Sequence, residues 1–379
     1  MKTHKKPSSD LAADKDKILR KIQPTHHMKN PTAAVIPASL PYDAIVSVLS
    51  RLPLKSLLRF RHASNELASI IRDPWFVNQY NMSKPEKICF QTLGGLLWVS
   101  TNQFSLGRDA FELVEFPLTL RGLVCVCPVG SLDGLICLVG GSLRNVFLWM
   151  PSTGYCTELP EPIPLRDDRS DGYRLYHGFG YDPLHEDYKI VRIAVYGSTK
   201  GNPDSTVQVF SWRKNSWKAI EDVHYPCHQL TNSRNNLAPV FCSGALHWGL
   251  QALNKIVAFN LSEERFFEPV PVPSGKAFLD VAGAVGGCLC VFCTDGAVLE
   301  VCVMKEYRAE ASWRTLSRVT IPVGRPFKPL FVTKSGKFMV TQGKELVKFD
   351  PDEKTIEKLS IPYSSAHDKQ IIHDDALNC

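Results

Sequence analysis

The chain has 379 residues, of which 44% are hydrophobic, 22% charged and 10% aromatic, a composition typical of globular proteins with large cores. Its formal net charge is +6, but residues 1–30 alone hold eight lysines and arginines against three aspartates. The remainder is therefore close to neutral, which argues against a basic groove for nucleic acid.

Residues 1–36 are predicted to form a disordered basic tail, because they combine many lysines with scattered proline and serine. The tail lacks the apolar stretch of a signal peptide. No uncharged apolar run reaches the ~20 residues that a membrane helix needs. We therefore expect no membrane contact and a location in the cytoplasm, the nucleus or both.

Residues 37–80 have the pattern of three short helices. Pro41 and Pro53 stand where a helix begins, the position at which a missing N–H costs least. Residues 54–60 predict a second helix, and a third is expected from near Ser64 to Ile71, ended by Asp73 and Pro74. The first helix carries four apolar residues at the spacing of one apolar stripe: Ile45, Val48, Leu49 and Leu52. So much apolar surface in so small a unit predicts a binding partner.

The same residues resemble an F-box. The motifs are Leu40-Pro41-x-Asp43-x-Ile45, Leu49-x-x-Leu52-Pro53-x-Lys55-Ser56-Leu57, Arg59-Phe60-Arg61 and Asp73-Pro74-x-Phe76. The resemblance implies docking on a Skp-family adaptor and, through it, on a cullin and a RING subunit. The adaptor-binding residues it implies are Leu40, Pro41, Ile45, Leu49, Leu52, Pro53 and Leu57.

Two alternatives to an F-box are a helical cap on the larger domain and a DNA-binding helix-turn-helix. The charges of the segment are scattered and do not line one recognition helix, which disfavours DNA. Leu67 and Asn65 stand where F-boxes of this type usually have Trp and Lys. Leu67 still fills core volume, so the substitutions bear on adaptor affinity more than on the fold.

From residue 86 onward the pattern changes to short β-strands separated by turn signals such as Asp133-Gly134 and Asp295-Gly296. A strand ending in an aromatic residue, a polar turn and a second strand recur about every 45–50 residues, the size of a propeller blade. Several copies follow a strand that begins with glycine, at Gly134, Gly244 and Gly287.

We expect residues 86–362 to form a β-propeller of about six blades and residues 363–379 to be a C-terminal tail. The predicted blades are 86–128, 129–172, 173–224, 236–274, 277–323 and 325–362. A β-sandwich is the alternative, but it would be unusually large. The predicted fold class is thus α+β multidomain, a three-helix F-box followed by an all-β domain that is most simply a six-bladed propeller.

The β-rich part resembles the F-box-associated interaction domain of land-plant F-box proteins. The matching stretches include Gly130–Leu138 with Leu148–Gly154, Gly178–Val191, Val209–Trp217 and Gly244–Trp248. Met150 replaces the usual Asn, and most repeats lack the kelch double glycine. The two resemblances together imply a substrate-recognition subunit of an SCF-type ubiquitin ligase, whose propeller binds the protein to be degraded. A scaffold outside any ligase, or less favourably a propeller enzyme, is the alternative.

No residues in the sequence combine into a catalytic set, a phosphate-binding loop or a metal site. We therefore expect a non-catalytic subunit without cofactor or metal. The 12 cysteines are interpreted as reduced, buried hydrophobic residues, and His247 as a core or channel residue.

Three long loops are predicted on one rim of the propeller, at residues 165–173, 197–204 and 224–236. Strand direction alternates within a blade, so blade-to-blade loops and loops between second and third strands share a face. Long loops on a rigid scaffold are common recognition sites. The candidate target-binding residues are Arg166, Arg169, Tyr173, His224, Tyr225 and His228. Equally, these loops can be tolerated insertions. The sequence identifies neither the target nor any small molecule in the channel.

Overall fold

The structure is a computed structural model. It describes residues 41–52, 56–57, 60, 63–73, 76, 80, 87–92, 95–100, 111–113, 126–140, 145–150, 155–165, 173–196, 205–221, 227, 230, 239–267, 269–295, 298–320, 327–333, 336–342, 345–351, 355–360 and 369–373.

Two helices have defined bounds in the N-terminal part, α1 at Tyr42–Arg51 and α2 at Asn65–Arg72. The Ser64 side chain caps α2 by accepting a hydrogen bond from the Leu67 backbone N–H at 3.4 Å, and Asp73 ends it. The helix predicted from near Ser64 is therefore confirmed. Between α1 and α2, Ser56 and Leu57 are helical, but most of that segment lies outside the described residues. The predicted count of three helices stays a prediction.

A small apolar core holds the helical part together. Its buried members come from all along the segment: Val46, Leu49, Leu57, Leu67, Ile71, Phe76 and Tyr80. The Tyr80 hydroxyl also donates to the Leu52 carbonyl at 3.0 Å, which ties the end of the segment back to the end of α1.

The apolar stripe of α1 is divided between the core and the solvent. Val46 is buried, whereas Val48 is 61% exposed. At ~100° per residue, Val48 lies roughly 160° around the helix from Val46, so a core centred between Val46 and Leu49 leaves it outside. Val48 is therefore the most exposed member of the apolar stripe predicted from the sequence.

Twenty-four strands follow among the described residues. The first twelve are β1 (Lys87–Thr92), β2 (Gly95–Ser100), β3 (Phe111–Leu113), β4 (Cys127–Leu132), β5 (Leu135–Gly140), β6 (Asn145–Met150), β7 (Tyr155–Glu158), β8 (Tyr173–Asp182), β9 (Asp187–Tyr196), β10 (Ser205–Ser211), β11 (Ser216–Ile220) and β12 (Val240–Cys242). The others are β13 (Ala245–Leu250), β14 (Lys255–Asn260), β15 (Arg265–Phe266), β16 (Ala277–Val285), β17 (Cys288–Asp295), β18 (Val298–Met304), β19 (Trp313–Thr320), β20 (Phe327–Val332), β21 (Phe338–Gln342), β22 (Glu345–Asp350), β23 (Thr355–Ser360) and β24 (Lys369–His373).

Within the described part of the chain these strands form six antiparallel sheets of four strands each. Sheet 1 has the order β24-β1-β2-β3. The other five consist of consecutive strands: sheet 2 of β4 to β7, sheet 3 of β8 to β11, sheet 4 of β12 to β15, sheet 5 of β16 to β19 and sheet 6 of β20 to β23. Successive sheets contact each other through their first strands, from β24 through β4, β8, β12 and β16 to β20. This is the arrangement of a β-propeller, and the expectation of an all-β propeller domain is confirmed.

The core of the β-domain lies between sheets. One apolar cluster joins sheets 2 and 3, a second joins sheets 3 and 4, a third joins sheets 4 and 5, and a fourth joins sheets 5 and 6. Close approach of the sheets leaves no room for side chains at some positions. A Cβ atom on Gly178 of β8 would lie 2.6 Å from the ring of Pro239, the residue directly before β12 of sheet 4.

The glycines that come directly before β5 and β13 are explained by the turns in which they lie. Both central residues have positive φ in Asp133-Gly134, at 51° and 75°, and in Ser243-Gly244, at 49° and 71°. Two-residue hairpin turns of this kind match the twist of the flanking strands, and glycine adopts positive φ without strain.

The predicted end of the β-domain at residue 362 is too early. Lys369–His373 forms β24 and pairs antiparallel with β1, from Lys87 opposite His373 to Gln91 opposite Lys369. Part of the predicted C-terminal tail is therefore the innermost strand of sheet 1. Sequence inspection missed it because a five-residue strand that pairs with a segment almost 300 residues away carries no local turn signal.

Candidate protein-binding surfaces

Helix α1 presents an apolar face to solvent. Tyr42 is 50% exposed and Val48 is 61% exposed, and Phe60, beyond the helix, is exposed as well. Pro41, which accepts the first hydrogen bonds of α1 through its carbonyl, is also exposed. Large apolar side chains left outside so small a core are the usual sign of a surface that a protein partner covers.

The residues predicted to bind the adaptor separate into two groups. Leu49 and Leu57 are buried in the helical core, so they support the fold of the segment. Ile45 and Leu52 are half-buried and Pro41 is exposed, which leaves all three accessible to a partner. Leu40 and Pro53 lie outside the described residues. Tyr42 and Val48 were not among the predicted adaptor-binding residues, although Val48 belongs to the apolar stripe found in the sequence.

The flanks of the three predicted recognition loops leave sheet 3 from the same end. Strand pairing shows this directly: Tyr173 lies opposite Tyr196, Val195 opposite Ser205, and Val207 opposite Ile220. The start of β8, the end of β9, the start of β10 and the end of β11 are therefore neighbours. The prediction that these connections share one rim agrees with the register of the strands that flank them.

Of the predicted target-binding residues, the structure describes Tyr173. It begins β8, is half-buried, and packs edge-to-face on Tyr196 with ring centroids 6.1 Å apart. The remaining five lie outside the described residues: Arg166, Arg169, His224, Tyr225 and His228. Their role in binding stays a prediction.

The chain that enters the first of these loops is held firmly. Gln208 donates to the Ile163 carbonyl at 2.9 Å, and the buried Arg192 donates to the same carbonyl at 3.4 Å and to Gln208 at 3.2 Å. The Trp217 indole N–H donates to the Pro160 carbonyl at 2.8 Å. Anchors of this kind fix the base of a loop, which lowers the entropy lost when the loop binds a partner.

A buried ionic cluster joins sheets 3 and 4 at the end of sheet 3 that lies away from Tyr173. Asp182 is fully buried and accepts hydrogen bonds from Ser262 at 2.5 Å and from the backbone N–H of Leu184 at 3.0 Å. Lys189 lies 2.9 Å from the same carboxylate and 2.9 Å from Glu264. Burial alone would raise the pKa of Asp182, but these donors hold it well below its usual range. The cluster is fully paired, so it acts in packing the two sheets.

His247 also has a structural environment. It is 1% exposed, its Nε2 lies 2.7 Å from the Tyr307 hydroxyl, and its Nδ1 lies 3.2 Å from the Val240 carbonyl. Burial lowers the pKa of His247 to about 4, so the ring is neutral at pH 7. The interpretation as a core residue is confirmed.

Among the described residues, no group of three or more His, Cys, Asp and Glu side chains is placed to hold a metal ion. In the same part of the chain, no helix has both the length and the apolar character to cross a membrane. The described cysteines are free thiols, and most of them are buried, as the sequence predicted.

Comparison with known proteins identifies a family for the helical part and another for the β-domain. The F-box domain family matches residues 38–79, and the F-box associated beta propeller domain family matches residues 88–369. The F-box protein CPR1 of Arabidopsis thaliana is 31% identical over 357 residues, covering 86% of this chain and 85% of that protein. An F-box/kelch-repeat protein of the same plant is 25% identical over 314 residues, covering 78% of this chain and 84% of its own.

Among solved structures, the chain aligns with a Bacteroides caccae protein of unknown function at 15% identity and a TM-score of 0.39, covering 76% of this chain and 98% of that one. The family matches and the relatives together show that the chain belongs to the F-box proteins that carry an F-box associated beta propeller domain.

Proposed function

We propose that the protein is the substrate-recognition subunit of an SCF-type ubiquitin ligase. In this proposal the F-box docks on a Skp-family adaptor, which links it to a cullin and a RING subunit, and the propeller binds the protein to be ubiquitinated. The protein itself carries out no catalysis, and it acts in the cytoplasm or nucleus.

The observation that carries the proposal is the exposed apolar face of α1. Val48 is 61% exposed on a helix whose opposite side is already buried in the small core of described residues. Burying one such side chain against a partner contributes about 1.5–3 kcal/mol, which is tenfold or more in affinity. The charges on α1 are Asp43 near its start and Arg51 at its end, so the middle of the exposed face is free of charge.

The test is a pull-down of full-length protein with a Skp-family adaptor. Val48→Asp places a charge in the apolar contact and should weaken adaptor binding by at least about tenfold. Ser69→Asp is the matched control, since Ser69 is exposed on α2 and its substitution adds the same charge. Both variants should melt at the wild-type temperature, because neither side chain is in the core. Undiminished binding by Val48→Asp, or equal loss in both variants, would contradict adaptor docking through α1.

For the propeller, we propose that the rim of sheet 3 defined by Tyr173, Tyr196 and the loops beyond them recognises the target. Three observations support this proposal: the strands that flank the loops end on the same side of sheet 3, Gln208 hydrogen-bonds the Ile163 carbonyl near the start of the first loop, and the loop sequences contain Arg and aromatic residues.

The test of this surface first captures target proteins from cells in which the proteasome is inhibited. The double substitution of Arg166 and Arg169 by Ala should then stop target ubiquitination while adaptor binding persists. If ubiquitination continues, recognition uses another surface, and if no target is ubiquitinated even by wild type, the protein acts outside a ligase.

We also propose that the six sheets close into one ring of six blades, with β24 completing the first blade. The pairing of β24 with β1 supports this, because it joins the two ends of the β-domain in one sheet.

A further inference from the structure

We propose that Cys293 and Cys302 form an oxidation site, in which a hydroperoxide converts the two thiols to a disulfide that links β17 to β18. Cys293 lies directly opposite Glu300 in this antiparallel pair, so Cys302 is two residues further along on the same face of the sheet. The two thiols are hydrogen-bonded to each other. Sheet 5 therefore holds two thiols as a diagonal pair.

A lysine from a different part of the chain lies against this pair. Lys276, just before β16, has its ammonium nitrogen 3.6 Å from Cys302 Sγ and 2.8 Å from the Thr315 hydroxyl. It also forms an ion pair with Glu300, whose other carboxylate oxygen accepts from Arg318 at 2.8 Å. A thiol next to an ammonium group is the arrangement that stabilises a thiolate, the reactive form of cysteine.

The electrostatics distinguish the two thiols. The hydrogen bond from Cys293, helped by Lys276, lowers the pKa of Cys302 to about 6 against the opposing effect of burial. The same hydrogen bond, together with burial, raises the pKa of Cys293. Cys137, which is equally buried in sheet 2, has its pKa raised by burial. Cys302 is therefore expected to be the attacking thiolate and Cys293 the thiol that resolves it.

The reaction has two steps. The Cys302 thiolate attacks one oxygen of the hydroperoxide, so an S–O bond forms, the O–O bond breaks, and the leaving oxygen anion takes a proton from water. Sulfur is oxidised to the sulfenic acid and the peroxide is reduced. Cys293 then attacks this sulfur: the S–S bond forms, the S–O bond breaks, and the thiol proton leaves with the hydroxyl group as water. Two thiols and one hydroperoxide thus give a disulfide, water and an alcohol, or a second water from hydrogen peroxide.

Access to the site is limited and passes Lys276. Cys302 is only 1% exposed, but the Lys276 side chain that contacts it is 22% exposed, and Thr315 is exposed beside it. A small oxidant reaches Cys302 when the lysine side chain moves. Large reagents are excluded, which makes the site selective for small peroxides.

The experiment treats the reduced, full-length protein with hydrogen peroxide and then maps its disulfides without reduction. Cleavage by chymotrypsin after Phe292 and by an acid-specific protease at Asp295 places Cys293 and Cys302 on separate peptides, which stay joined only through a disulfide. We expect this joined species to form first, while Cys137 in the same sample stays reduced. The proposal is overturned if Cys302 is oxidised no faster than Cys137, or if it pairs with a cysteine other than Cys293.

Variants test the two roles. In Cys293→Ser, a carbon nucleophile that reacts with sulfenic acids should label Cys302. Lys276→Met keeps the length of the stem without the charge and should slow oxidation by about tenfold or more, whereas Lys276→Arg should retain most of the rate. A Lys276→Met protein that melts like wild type and is oxidised as quickly would show that the lysine does not activate the thiol. The wild-type mapping decides the proposal even if a variant misfolds.

Discussion

At the scale of single residues, burial decides what the ionisable groups of this propeller do. Asp182 and His247 are equally inaccessible, but Asp182 is surrounded by donors and keeps its charge, whereas His247 has a hydroxyl and a carbonyl beside it and loses its charge. Both are therefore compatible with a packed interior. In the sequence they are indistinguishable from catalytic residues.

His247 gives a prediction about pH. Its pKa in the folded protein is about 4, below the value of about 6.5 for an unfolded chain. Between these values the unfolded state binds more protons, so stability present above pH 6.5 is lost as the pH falls towards 4. The loss attributable to this residue is on the order of 3 kcal/mol.

His247→Gln keeps groups that can bond to Val240 and Tyr307 but does not titrate. The free energy of unfolding of this variant, measured by urea denaturation, should depend less steeply on pH between pH 6.5 and 5 than that of wild type. Parallel curves for the two proteins would show that His247 is not the group responsible.

At the scale of elements, α2 and the hairpins follow directly from local sequence. Ser64 and Asp73 mark the two ends of α2, and a pair of residues such as Asp133-Gly134 marks a hairpin. The burial of individual residues along the apolar stripe of α1 did not follow, because their spacing does not say which side of the stripe the core covers. The positions of Leu57 and Phe76 in the core decide which face is buried.

Leu67 tests the packing of α2. It is 8% exposed and belongs to the same core as Leu57 and Tyr80, at the position where related F-boxes usually have Trp. Because the small core has closed around leucine, Leu67→Trp should lower the free energy of unfolding of the helical unit by roughly 1–3 kcal/mol through overpacking. The measurement is chemical denaturation, with adaptor binding measured beside it. Higher stability together with tighter adaptor binding would instead mean that a pocket for Trp persists in this chain.

At the scale of the whole molecule, the β-domain depends on its last strand. β24 pairs with β1 along Lys87–Gln91. It contacts β4, just as the first strand of each following sheet contacts the first strand of the next one. Without β24, the backbone groups of β1 on that side would have no partner strand. An unpaired inner strand exposes N–H and C=O groups in a place where they cannot be fully hydrated.

Removal of residues 369–379 should therefore destabilise the β-domain by several kcal/mol, about 1 kcal/mol for each lost backbone hydrogen bond, and promote aggregation. The matched control removes only residues 374–379 and keeps β24. Thermal unfolding followed by circular dichroism, with light scattering, compares the two. If both truncated proteins melt together with wild type, β24 does not close the ring.

The sequence by itself determined the F-box and the propeller, because both depend on local signals: proline and serine at helix ends, alternating apolar residues, and glycine at turns. The shared end of sheet 3 at which the strands flanking the three loops meet also followed, since strand direction alternates within a blade. Only the tertiary structure decided that Val48 faces outward, that β24 belongs to sheet 1, and that Lys276 lies against Cys302. Each of these depends on contacts between residues far apart in the chain, or on which of several equivalent faces the rest of the core covers, and no local pattern encodes such choices.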